Sequence, residues 1–168
     1  DTLNYIQTSF GDPSLMISVS LCTSSRKTTI INGNWGVKFP LADANEGFGT
    51  GAWDIGGGLS WSQRFLDHWL FMLSGMYWQL GDMNELDISN ILSYSTGLGR
   101  SFMEGKLMGS FSFFGSTQII DGIDPPLSLG TGLNYQLTKK LSINGNALVG
   151  ISESASDFSI GLGWNITL

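Results

Sequence analysis

Hydrolase or acyltransferase chemistry of the serine–histidine kind pairs a histidine with a serine or a carboxylate, and this chain offers a single histidine, His68. It follows the expected turn at Leu66–Asp67 and has no second histidine with which to hold a metal. A serine hydroxyl without a neighbouring base is a weak nucleophile, so the many serines read as lining. Cys22 is the only cysteine, which excludes an internal disulfide and a cysteine-based zinc site. Gly49-Thr50-Gly51 and Gly56-Gly57-Gly58 lack the lysine and the following helix of a phosphate loop, and read as places where a sheet bends or bulges. Asp43 with Glu46, and Asp121 with Asp124, do not have calcium-loop spacing and read as a solvated rim. We therefore expect no catalytic residue, metal or cofactor. The charges that remain of interest are Lys38, Asp54 and Arg64, because they fall among small uncharged residues. A charge in such a setting pairs or lines water. Lys38 and Asp54 are expected on neighbouring strands, as a selectivity constriction or as a structural tie.

The elements that position these residues are strands. Phe158, Ile160, Leu162, Trp164, Ile166 and Leu168 share one parity, and Ser159, Gly161, Gly163, Asn165 and Thr167 the other. Side chains alternate faces along a strand, so one face is large and apolar and the other small and polar. The same alternation runs through Leu141–Ile151, Leu127–Leu137, Leu107–Gln118, Leu92–Gly99, Trp53–Arg64, Asn34–Phe39 and Ser14–Cys22. His68–Leu80 is apolar on both parities, with Trp69, Phe71, Leu73 and Tyr77 taken as the apolar face. Leu3–Phe10 is a weaker strand. About ten antiparallel strands result, with no competing helical period. Met108 and Phe114 fall on the small-residue parity with Lys38, Asp54 and Arg64, so all five are candidates to line a lumen. Met16 and Leu148 share that parity, with Met72, Met76 and Trp78 as alternates from the ambiguous strand.

Composition says which face meets what. Charged residues are 13% of the 168, glycines number 23, and mean hydropathy is +0.10. No run approaches the ~20 apolar residues of a membrane-spanning helix. Aromatics at 12% argue against disorder. A pI near 4.4 argues against nucleic acid. A soluble barrel needs Lys, Glu, Asp and Arg on its exterior. Here the polar face is Ser, Gly, Asn and Thr, which suits a narrow water-filled lumen, leaving the apolar face to lipid. Connections alternate long and short, as in outer-membrane barrels. Basic residues other than Lys38 gather at the short-turn end and acidic residues at the long-loop end.

Two stretches carry a resemblance. Gly163-Trp164-Asn165-Ile166-Thr167-Leu168 resembles the C-terminal assembly signal of outer-membrane barrels, ending on Leu rather than Phe or Trp. Phe39-Pro40-Leu41, Gly49-Thr50-Gly51-Ala52-Trp53-Asp54-Ile55-Gly56 and Ser62-Gln63-Arg64-Phe65 resemble the outer-membrane transporter family named for the MetA pathway of phenol degradation, and a related uncharacterised barrel family. The resemblance implies passage of small apolar or aromatic compounds and no catalytic residues.

The expectation is an all-β, transmembrane up-and-down barrel of about ten strands. It is either one domain, 1–168, or the C-terminal part of a longer barrel whose mature or excised form starts at Asp1. Passive transport of small solutes is the first functional reading. A non-conducting structural or interaction barrel with acidic outer loops is the second. Expected partners are outer-membrane lipid and lipopolysaccharide, a small-molecule solute and the barrel assembly machinery.

Overall fold

Each alternating stretch forms a strand, and each strand pairs with its neighbours in sequence. The computed structural model describes residues 11–42, 50–81, 89–120 and 122–167. Within them, nine antiparallel strands follow in chain order: β1 Ser14–Thr23, β2 Thr29–Lys38, β3 Asp54–Phe65, β4 Trp69–Gln79, β5 Ile91–Phe102, β6 Leu107–Ser116, β7 Leu127–Gln136, β8 Leu141–Gly150 and β9 Phe158–Ile166. The only helical element among the described residues is a 3₁₀ turn at Met103–Gly105. The sheet is a simple meander curled into a half-barrel. With nine strands, β1 and β9 run in the same direction, and each has one edge unpaired among the described residues. The strand expected at Leu3–Phe10 lies outside those residues.

Register fixes the facing. Lys38 opposes Asp54, Gly56 opposes Trp78, Met76 opposes Ser93, and Ser95 opposes Phe114. Directly opposed residues share a face. Lys38, Asp54, Trp78, Met76 and Phe114 therefore belong to the Gly/Ser/Asn face, as do Arg64 and Met108 by parity. Trp69, Phe71, Leu73 and Tyr77 lie on the other face, as expected. Curling a sheet crowds its concave side. Of the eight buried residues among those described, Gly36, Asp54, Gly56, Gly97, Gly99, Ser116 and Gly130 share the small-residue parity and only Gly33 does not, so that parity is the concave one. The large apolar side chains stand on the convex side, where Leu162 is 87% exposed. No apolar side chain is buried among the described residues.

Local departures from the expected pattern have steric causes. β2 starts at Thr29 rather than Asn34, because Ile30, Ile31 and Asn32 continue the ladder onto Ser62, Trp61 and Ser60. Ile30 breaks the alternation by facing the concave side, which hides this turn of the strand from a period-two reading. The triple glycine makes no bulge: the β2–β3 and β3–β4 registers run through it without a break. A Cβ at Gly58 would lie 2.2 Å from the Gly75 carbonyl oxygen, so that position answers to close backbone approach. The irregularity sits instead in β1, where register shifts between Ser20 and Cys22.

The short connections are tight. Leu66 and Asp67 both adopt positive φ, 46° and 58°. Three residues, Leu66–His68, connect the paired Phe65 and Trp69, and the first two sit in the left-handed region that Gly and Asn adopt most readily, because a Cβ there costs ~1–2 kcal/mol per residue. Leu66→Asn with Asp67→Gly should stabilise the protein by about 1 kcal/mol, read as a higher urea midpoint with unchanged slope.

Candidate functional site

The concave face carries three kinds of residue, and they are not evenly spread. Its middle is polar and small. Ser18 Oγ donates to Asn34 Oδ1 at 2.8 Å, Asn34 Nδ2 donates to Ser60 Oγ at 3.2 Å, and the Ser74 and Ser95 hydroxyls meet at 2.8 Å. These links join neighbouring strands without filling the space in front of the sheet. A depression of about 230 Å³ lies on this face, lined among others by Met72, Met108, Ser110, Asn134 and Asn144.

At the long-loop end the charges gather. Lys38 Nζ lies 2.6 Å from Asp54 Oδ2 and 3.7 Å from Asp12 Oδ2, and it also donates to Thr50 Oγ1. Asp54 Oδ1 accepts from the Gly81 N–H at 3.1 Å. Asp12 accepts from the N–H groups of Ala42 (2.9 Å) and Thr50 (3.0 Å). One lysine thus ties together the entry to β1, the end of β2, the approach to β3 and the exit of β4. The two backbone donors, with a smaller contribution from the Lys38 ammonium, hold the Asp12 carboxyl below the usual aspartate range. Asp12 is one of the acidic residues at the long-loop end. No period-two pattern reaches it, because it precedes its strand and acts through backbone donors on another connection.

Arg64 stands apart. It lies ten residues along β3 from Asp54, about 34 Å away at strand rise. It is exposed and makes no ion pair among the described residues. The three charges therefore do not form one constriction. Lys38 and Asp54 are a joint at one end, and Arg64 is a separate positive charge at the other. Met108 lies near Arg64's end, its Cε 2.7 Å from where a Cβ on Gly99 would stand. Phe114 lies at the loop end, its ring edge 2.8 Å from the corresponding point on Gly130. His68 acts through its backbone, its carbonyl accepting from the Ser101 N–H at 2.8 Å. Cys22 is exposed in β1.

Aromatic residues mark the two ends of the convex face. Phe65 and Trp69 stack with centroids 6.4 Å apart at the short-turn end. The Arg100 guanidinium lies 5.3 Å from the Trp69 ring and 5.2 Å from the Phe102 ring. Phe39 and Trp53 meet edge to face at 5.0 Å at the loop end. Aromatic girdles of this kind flank the apolar band of outer-membrane barrels.

With the meander, the facing and the loop-end joint in place, the family model described as "Putative MetA-pathway of phenol degradation" matches residues 2–168. The chain belongs to that family. A comparison with curated proteins gives no significant match. The motifs that carry the resemblance lie within Phe39–Phe65, the resemblance itself covers about residues 35–168, and the match takes in nearly the whole chain.

Two predictions follow from the unequal settings of the charges. Lys38→Met leaves two carboxylates facing each other without their cation, and removing one partner of a part-buried ion pair should clearly lower stability. Arg64→Met should change stability by no more than about 0.5 kcal/mol. Equilibrium unfolding of both variants measures the contrast. For Asp12, a lowered folded-state pKa means that its contribution is complete above the unfolded value of ~3.9 and fades as pH falls through the folded value. A carboxyl NMR titration should place its midpoint below ~3.9, and Lys38→Met should raise it.

Proposed function

We propose that the chain forms a transmembrane β-barrel in a Gram-negative-type outer membrane and lets small solutes, apolar or aromatic in character, cross passively. One observation carries this reading: the large apolar side chains are on the outside and the small polar ones within, with no apolar core among the described residues. In water that arrangement would leave Leu133, Leu162 and Trp164, at 62%, 87% and 73% exposure, with no reason to stay apart from other copies. In a bilayer it is the stable arrangement. Backbone groups in hydrocarbon require a closed sheet. One further strand antiparallel to both β1 and β9 completes an even-numbered barrel.

The short turns then face the periplasm and the long connections face outward, toward lipopolysaccharide. The final strand serves as the handle for the assembly machinery. The Ser, Gly and Asn lining leaves unfilled volume that a barrel of this size would otherwise pack with side chains. The family's name fits solutes of small size and aromatic character. Nothing in this role requires a catalytic residue.

Leu162 and Asn146 lie at similar depth on opposite faces, since Asn146 opposes Gly161. Arg at a lipid-facing midplane position costs ~2–4 kcal/mol. Leu162→Arg should therefore lower folding yield into lipid vesicles sharply, and Asn146→Arg much less. The folded protein should give small, discrete conductance steps in a planar bilayer. Equal folding defects would place the wrong face in lipid, and a folded protein without conductance or solute flux would favour the closed structural barrel.

A further inference from the structure

We propose that Trp78 is a stacking shelf for planar aromatic solutes that are neutral or cationic. The proposal rests on the transport reading and supplies the site at which the solute is held. It begins with two glycines. Gly36 and Gly56 oppose each other on the concave face, one on β2 and one on β3. A Cβ on Gly36 would lie 2.5 Å from Trp78 Cη2, and one on Gly56 would lie 2.6 Å from Trp78 Cδ2 and Cε3. The benzo ring of the indole therefore lies across both backbones, in space that any side chain would occupy. Met16 and Met76 border the same two glycines, with Met16 Sδ 2.6 Å from the Gly36 point and Met76 Cε 2.9 Å from the Gly56 point. Thioethers beside an aromatic ring give a polarizable, adaptable apolar margin.

An indole laid flat against the wall differs from one that plugs the bore. One face of Trp78 is used against the sheet and the side chain is only half-buried. An aromatic ring accepts another ring in an offset stack. Of the six tryptophans, Trp78 is the one that register and parity place on the concave face.

Charge sets the second half of the selectivity. The row holding Lys38 and Asp54 is one side-chain step from the row holding Gly36 and Gly56, about 7 Å along the strands. Asp12 and Asp54 together outnumber the single Lys38 by one charge. An ammonium or a neutral hydroxyl on a ring stacked at Trp78 is tolerated beside that excess, and a carboxylate is repelled.

The test uses the whole chain folded in detergent micelles, with benzylamine, benzyl alcohol, benzoate and cyclohexylmethylamine as probes. Ligand-observed NMR reads the affinity, and the Trp78 indole N–H signal, identified by its absence in Trp78→Phe, reads the location. Benzylamine should bind roughly five-fold or more tighter than benzoate and should move the Trp78 signal. Cyclohexylmethylamine, which has the same charge and no π face, should bind more weakly than benzylamine. Trp78→Ala should weaken benzylamine roughly ten-fold, while Trp78→Phe, which keeps a planar ring, should retain most of the affinity. Gly56→Ala, which displaces the indole, should weaken it too, and serves if Trp78→Ala does not fold. Equal binding of benzylamine and benzoate, or of the ring and cyclohexyl amines, or by Trp78→Ala and the parent, overturns the shelf. Solute flux into vesicles separates the two readings. Flux with Trp78-independent binding removes the shelf and leaves passage, and Trp78-dependent binding without flux does the reverse.

Discussion

The period of two is the constraint on which everything else depends. A strand sends alternate side chains to opposite faces, and this sequence assigns size as well as polarity to each parity. The convex face receives Leu, Ile, Val, Phe and Trp, and the concave face mostly Gly, Ser and Asn. A slip of one residue at any strand would exchange the faces. The ladder holds its register without a break from β2 to β9, with the single irregularity in β1 at Ser20/Cys22. Small residues on the inside also let the sheet curl, since bulky side chains there would collide as the strands close up.

The concave face is divided by role along its length. The loop end holds its charges in a joint, where Lys38 is satisfied by two carboxylates and a hydroxyl. Such a lysine has little freedom to follow a passing ion, so the joint's main work is to secure the connections around it. Its residual negative charge still acts on whatever lies nearby. Beneath it the aromatic and thioether side chains gather at Trp78, and the polar middle follows. The turn end is loosely organised, with Arg64 free of ion pairs among the described residues and Met108 against Gly99.

Much of the fold was legible because strand pattern needs only local information. Phe158–Ile166 and Leu141–Gly150 could be placed to within a residue or two from parity alone. The Leu66–Asp67 turn is legible from the gap between two strands, although Leu66 is an unusual residue for positive φ. The start of β2 is not legible, since Ile30 faces the concave side and interrupts the alternation. The site was half legible. Opposite charges on adjacent strands near one end suggested Lys38 with Asp54. Asp12 and Thr50 were not legible in that joint, because their contacts join separate connections. Trp78 was only an alternate, since both parities of His68–Leu80 are apolar. What decides its face is the cross-strand position of Gly56, a fact about register rather than about β4 itself.

The facing can be read directly from the tryptophans. Trp35, Trp61 and Trp164 belong to the convex face and Trp78 to the concave face. In single-tryptophan variants folded into vesicles, a lipid carrying bromine on its acyl chain and a water-soluble quencher report on opposite environments. Convex-face insertion predicts that brominated lipid quenches Trp35, Trp61 and Trp164 strongly, and Trp78 weakly. Strong lipid quenching of Trp78, with Trp164 reached only by the aqueous quencher, would contradict it.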